Sequence, residues 1–94
     1  LPNETYIKSF DLEYGSTSIE IQKNTNIGIE DRIVIIDDLV ATGGTAIACA
    51  EILTENFDVK KSNILILCII DLPELGGSKL IKEQGYNIET LVSY

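Results

Sequence analysis

The stretch Arg32–Thr45 reads R-I-V-I-I-D-D-L-V-A-T-G-G-T. Its first part, Ile33-Val34-Ile35-Ile36, is an unbroken β-branched run. Such a run predicts a short strand buried on both faces, as in the middle of a parallel sheet. It stops at two adjacent carboxylates, Asp37 and Asp38, and Leu39-Val40 then lead into Ala41-Thr42-Gly43-Gly44-Thr45. Beyond Thr45 the apolar period changes. Ala46, Cys49, Ala50, Leu53 and Phe57 recur at helical spacing, which predicts a helix with one apolar face ending around Asn56–Asp58. The order is therefore strand, acidic pair, loop of glycines and hydroxyls, helix.

In open α/β sheets, ligands bind beyond the carboxyl ends of the strands. A helix N-terminus leaves its first N–H groups without partners and carries partial positive charge, so it suits an anion. Gly43 and Gly44 let the backbone turn tightly and approach a ligand. Thr42 and Thr45 add hydroxyls, and no Lys or Arg lies in the loop. A phosphate here would be held by N–H and hydroxyl groups. The patterns G-x-x-x-x-G-K-[ST] and G-x-G-x-x-G are both absent, which removes the main support for an ATPase or a dinucleotide-binding protein. Two carboxylates beside a phosphate cradle would repel a bare phosphate. They suit a ligand that also offers hydroxyls or a cation. A ribose phosphate matches both halves, with Mg²⁺ held through water and ligand oxygens.

The remaining chain frames this centre. Thr5–Leu12 and Ser18–Lys23 alternate in the manner of strands, with the turn formers Glu13-Tyr14-Gly15-Ser16-Thr17-Ser18 between them, so residues 1–31 are expected to form a hairpin or flap and a connection. Ile64–Ile70 is a second continuous apolar run, expected to be a strand buried on both faces and followed by Asp71 at its carboxyl end. Pro73-Glu74 is expected to open a short helix reaching about Gln84, stopped by Gly85, and Ile88–Val92 to form a last strand. Residues 32–94 thus read as a β-α-β-α-β core, with the strand–helix–strand unit expected to be right-handed.

Composition narrows the function classes. The chain has 94 residues, enough for one small domain. Its formal net charge of −8 argues against nucleic acid and anionic membrane surfaces as partners. No apolar stretch reaches the ~18 residues of a membrane span, and no basic-then-apolar leader is visible at Leu1. Cys49 and Cys68 both fall inside apolar patterns, as buried free thiols of a reducing compartment do. With no His and no Cys cluster, a zinc site is disfavoured.

I-V-I-I-D-D-L-V-A-T-G-G-T resembles the phosphoribosyl-pyrophosphate signature of the type I phosphoribosyltransferases, in the form carried by members acting on adenine. A second block, Leu12-Glu13-Tyr14-Gly15 followed by Glu20-Ile21-Gln22-Lys23, resembles the same members and lies upstream of the signature at a similar separation. The match is clear to about Phe57 and looser beyond, at Asp71-Leu72 and Leu75–Leu80. A plain strand–turn–helix junction explains Gly43, Gly44 and Thr45, but neither the paired carboxylates nor the second block.

The resemblance implies an α/β, Rossmann-like parallel-sheet fold, here truncated, with a flap hairpin near the N-terminus. It implies transfer of phosphoribosyl from phosphoribosyl pyrophosphate (PRPP) to adenine, giving AMP and pyrophosphate for purine salvage, with Mg²⁺ held mainly by PRPP and water. Asp37 and Asp38 would hold the ribose and, with Glu13, act catalytically, Ala41, Thr42, Gly43, Gly44 and Thr45 would hold the 5′-phosphate, and Tyr14 would close the flap. Asp71 is a weaker candidate. Leu1-Pro2 is similar to the end of a basic loop in the family, so the chain is expected to be a C-terminal part, lacking the base pocket and inactive alone. A cytoplasmic homodimer is also implied. Two other readings stay open: a PRPP-sensing domain of a transcriptional regulator, and a phosphoribosyltransferase for another purine base.

Overall fold

The computed structural model describes residues 4–12 and 15–93. Strands β1 (Thr5–Leu12) and β2 (Gly15–Gln22) pair antiparallel, from Thr5 opposite Gln22 to Leu12 opposite Gly15. The second strand thus starts three residues earlier than its alternation suggested, because Gly15–Thr17 continue the ladder despite their turn-forming character. Strand β3 (Ile33–Val40), helix α1 (Gly44–Asn56), strand β4 (Ile64–Asp71), helix α2 (Gly77–Glu83) and strand β5 (Asn87–Ser93) complete the fold. The last three strands form one parallel sheet in the order β3-β4-β5.

Register decides which side chains meet the helices. Ile33 lies beside Ile64, Ile35 beside Ile66 and Asp37 beside Cys68. On the next strand Ile66 lies beside Ile88. This face meets Ala46, Ile47, Ala50 and Leu53 of α1 and Ile81 of α2 in one core. Ile52, Ile66 and Ile81 are fully buried. Each such side chain contributes about 1.5–3 kcal/mol relative to exposure. Among the described residues no element covers the opposite face. Val34 is 52% exposed, Ile36 69% and Leu91 69%. Among the described residues the strands are thus covered on one face and not on both as expected, and β3 lies at the edge of the three-stranded sheet instead of in its middle. The β-branched runs carry the composition of a doubly covered sheet, but α1 and α2 both fall on one side of it.

Helix α1 is buried on more than one face because it is sandwiched between the sheet and the hairpin. Ile47, Ala48 and Ile52 are buried along with Ala46, Ala50 and Leu53, a wider surface than the single stripe predicted. The hairpin is laid on α1 by alternate β1 side chains. Tyr6 meets Phe57 edge-to-face at 5.2 Å, and Lys8 Nζ lies 3.3 Å from Glu51 and 3.0 Å from Glu55. The helix closes with Asp58 in the left-handed region at φ 59°, where the Val59 N–H donates to the Leu53 carbonyl at 3.0 Å. That bond, reaching back six residues, ties the departing chain to the last turn of the helix, with Asp58 in the left-handed place where glycine is the usual residue.

The single helix expected over Pro73–Gln84 is two pieces. A 3₁₀ turn, Pro73–Leu75, ends at Gly76 with φ 80°, and α2 starts afresh at Gly77. Proline opens the turn, as predicted, but a left-handed residue cannot continue a right-handed helix. No described helix is long and apolar enough to cross a membrane.

Candidate active site

The C-terminal end of β3 turns into α1 through Ala41, Thr42 and Gly43, and a pocket of about 170 Å³ sits on that turn. It is lined by Phe10, Asp37 and residues 39–45. Gly43 occupies the helix N-cap at φ 86°, ψ −2°, a conformation L side chains rarely adopt. No side chain caps the helix and no acidic residue lies in its first turn. The Ile47 N–H donates to the Gly43 carbonyl at 3.0 Å, opening the helical ladder. The positive end of a thirteen-residue helix thus faces the pocket without competition from a protein carboxylate in that turn. Thr42 and Thr45 are exposed on the pocket wall.

The two adjacent carboxylates divide. Asp37 is half-buried and lines the pocket, whereas Asp38 is exposed and does not line it. Successive strand residues leave on opposite faces, so adjacency in sequence separates the two side chains at their Cβ atoms. Asp37 Oδ1 accepts the Leu39 N–H at 3.4 Å. Burial pushes the Asp37 carboxyl above its ordinary value of 3.8, and the neighbouring Asp38 carboxyl adds to the rise against the lowering effect of the Leu39 N–H. Beneath it, Cys68 is fully buried, its thiol pushed up by burial, and its Sγ–H donates to the Ile70 carbonyl at 2.7 Å. Cys49 and Cys68 are both free.

Asp71 ends β4 on the same sheet edge but does not line the pocket. It is 6% exposed, and its Oδ1 has no hydrogen-bond partner among the described residues. Glu13 and Tyr14 lie outside the described residues. The structure adds Phe10, which alternation alone placed only on a strand face. A Cβ at Gly44 would stand 2.8 Å from Phe10 Cδ2, so this glycine makes room for an aromatic wall rather than for the ligand directly. The signal was the pairing of a bulky residue in the hairpin with a residue lacking a side chain at the helix start, visible only once both are placed.

A parallel sheet whose strand ends in an acidic pair and a glycine–threonine turn at a helix N-terminus is the arrangement of the type I phosphoribosyltransferases, and the chain has that fold. Its relatives within that class are adenine phosphoribosyltransferases, to which the chain is homologous over its whole length. The Paraburkholderia phytofirmans enzyme is 44% identical over 96 residues, covering all of this chain and 48% of that one. The Giardia lamblia enzyme, solved with 9-deazaadenine, superposes with a TM-score of 0.85 at 32% identity, covering 100% of this chain and 51% of that one. The Saccharomyces cerevisiae enzyme, solved with D-2,5-dideoxy-2,5-imino-altritol 1,6-bisphosphate and adenine, gives 0.79 at 33% identity over 97% of this chain and 48% of that one. The chain thus spans about half the length of the proteins it matches. No family model matches it.

Proposed function

We propose that this chain supplies the PRPP-binding half of an adenine phosphoribosyltransferase. The single observation that carries the reading is the pocket joining Asp37 to the Ala41–Thr45 turn at the uncapped start of α1. In the reaction the C1–O bond of PRPP breaks toward pyrophosphate, adenine N9 bonds to C1, and the N9 proton is lost. The 5′-phosphate sits on the N–H groups of the turn and on the Thr42 and Thr45 hydroxyls. Asp37 accepts from the ribose hydroxyls and favours positive charge developing on the sugar. Asp38, exposed beside it, completes the acidic edge.

No cluster of three or more metal-ligating side chains exists among the described residues. Asp37 and Asp38 are the carboxylates near which Mg²⁺ would be held, mainly through water and PRPP oxygens, and it would there neutralise the departing pyrophosphate. Glu13 and Tyr14 are proposed to act from the hairpin, the first at the reacting groups and the second as a cover that excludes water. A cytoplasmic homodimer is proposed on the same kinship. The test is AMP formation from PRPP and adenine by the intact protein, with hypoxanthine and guanine as competing bases. A preference for adenine is expected. PRPP binding without turnover of any base would instead favour a sensing domain, and no PRPP binding would overturn the reading.

A further inference from the structure

The turn that forms the cradle rests on a second segment that never enters the pocket. The Leu72 N–H donates to the Val40 carbonyl at 3.1 Å, and the Gly77 N–H donates to the Ala41 carbonyl at 3.0 Å. Between these bonds the chain runs through the Pro73–Leu75 turn and Gly76. Gly77 is buried, and its backbone lies directly behind Ala41, Thr42 and Gly43. A Cβ at Gly77 would collide with the Ala41 carbonyl oxygen, and would stand 2.7 Å from Gly43 N and 2.8 Å from the Thr42 carbonyl carbon. From the other side, a Cβ at Gly43 would stand 3.0 Å from the Gly77 carbonyl oxygen. The two glycines are packed back to back.

The neighbouring glycines have different reasons. Gly76 is left-handed at φ 80°, and a Cβ there would meet nothing within 4 Å, so it serves the turn's conformation. Gly77 has no positive φ, and its requirement is space alone. The nearest atoms its methyl would meet are backbone of the cradle, which cannot yield by changing a rotamer. The other side of the contact is equally fixed, because α2 is anchored through the fully buried Ile81.

We propose that Gly77 is a positioning residue for phosphate binding: it lets the segment 71–77 form a rear wall that holds the Ala41–Thr45 turn in its ligand-ready shape. The inference rests on the cradle reading above. It gives Asp71-Leu72 and Leu75-Gly76-Gly77 a role that pocket lining does not reveal. A methyl at position 77 would push the cradle N–H groups off their common focus. Misplacement of such groups by about 1 Å costs on the order of 10²-fold.

The experiment measures binding of ribose 5-phosphate by calorimetry, and KM for PRPP against kcat, in the intact protein and three variants. Gly77→Ala is expected to weaken ribose 5-phosphate by at least ~10-fold and to raise KM for PRPP similarly with kcat largely kept, as loss of uniform binding does. Pro73→Gly adds no atom to the contact and loosens an exposed turn, so it keeps the fold and is expected to weaken binding by about fivefold. Gly85→Ala is the control. It strains a left-handed glycine at φ 91° at the far end of α2 and should leave affinity unchanged. Wild-type affinity in folded Gly77→Ala overturns the proposal, as does wild-type affinity in Pro73→Gly should Gly77→Ala not fold. Equal weakening in Gly85→Ala also overturns it. If the wild-type protein ignores ribose 5-phosphate, the cradle reading itself has failed. If the wild type binds and the variants match it, only the role of Gly77 falls.

Discussion

Replacing Gly44 by alanine tests whether the hairpin and the helix start form one wall of the pocket. A Cβ there would stand 2.8 Å from Phe10 Cδ2 and 3.3 Å from Phe10 Cε2, against 3.4–4 Å for ordinary contact. The ring, carried by β1 and only partly exposed, must give by about 0.6 Å at its nearest atom. Overpacking of this kind costs roughly 1–3 kcal/mol. In a helix free of such a neighbour the same substitution is favourable by roughly 0.5–1 kcal/mol. The sign should therefore depend on Phe10. In the wild-type background Gly44→Ala should destabilise, and in a Phe10→Ala background it should be neutral or stabilising. Denaturant unfolding of the four proteins gives the coupling, expected at about 2 kcal/mol. Additivity within about 0.5 kcal/mol would refute the packing argument. Gly44→Ala should also weaken ribose 5-phosphate, with part of the loss recovered when Phe10 is truncated.

Asp37→Asn should lower kcat/KM by about 10²–10³-fold, and Asp38→Asn by less, because Asp37 lines the pocket and Asp38 is exposed. Steady-state kinetics on both variants checks the order, which equal losses would contradict. Since the folded Asp37 carboxyl lies above its ordinary value, folding is favoured by its protonation, and that advantage is lost as pH rises through the folded pKa. Asp37→Asn should then raise the melting temperature at pH 7 and lose that gain relative to wild type below pH 3.8. Asp58→Gly should stabilise by up to about 1 kcal/mol by relieving a left-handed residue at the end of α1, read in chemical denaturation. Asp71→Asn should leave the fold intact and cost no stability, since a buried carboxylate oxygen without a described partner gives up little on losing its charge; a large loss of stability would show that the charge is satisfied.

Much of this was legible in the residues because it depends on neighbours in sequence. The run Ile33–Ile36, the halt at Asp37-Asp38 and the glycine–threonine turn before a helical period each follow from local sterics and periodicity. Gly43 in the left-handed region is of the same kind, since its conformation is set by the turn it makes. The second hairpin block was legible as a resemblance, although Glu13 and Tyr14 lie outside the described residues.

What needed the tertiary structure was every relation between segments distant in sequence. A β-branched run states that it can be buried, not on how many faces, and the side taken by α1 and α2 left Val34 and Ile36 open. Two adjacent aspartates look equivalent in sequence, but strand alternation gives one to the pocket and leaves the other exposed. Gly44 and Gly77 look like turn residues in the sequence. Only packing shows that one makes room for Phe10 and the other for the cradle backbone, because steric exclusion acts between atoms that folding, not chain order, brings together.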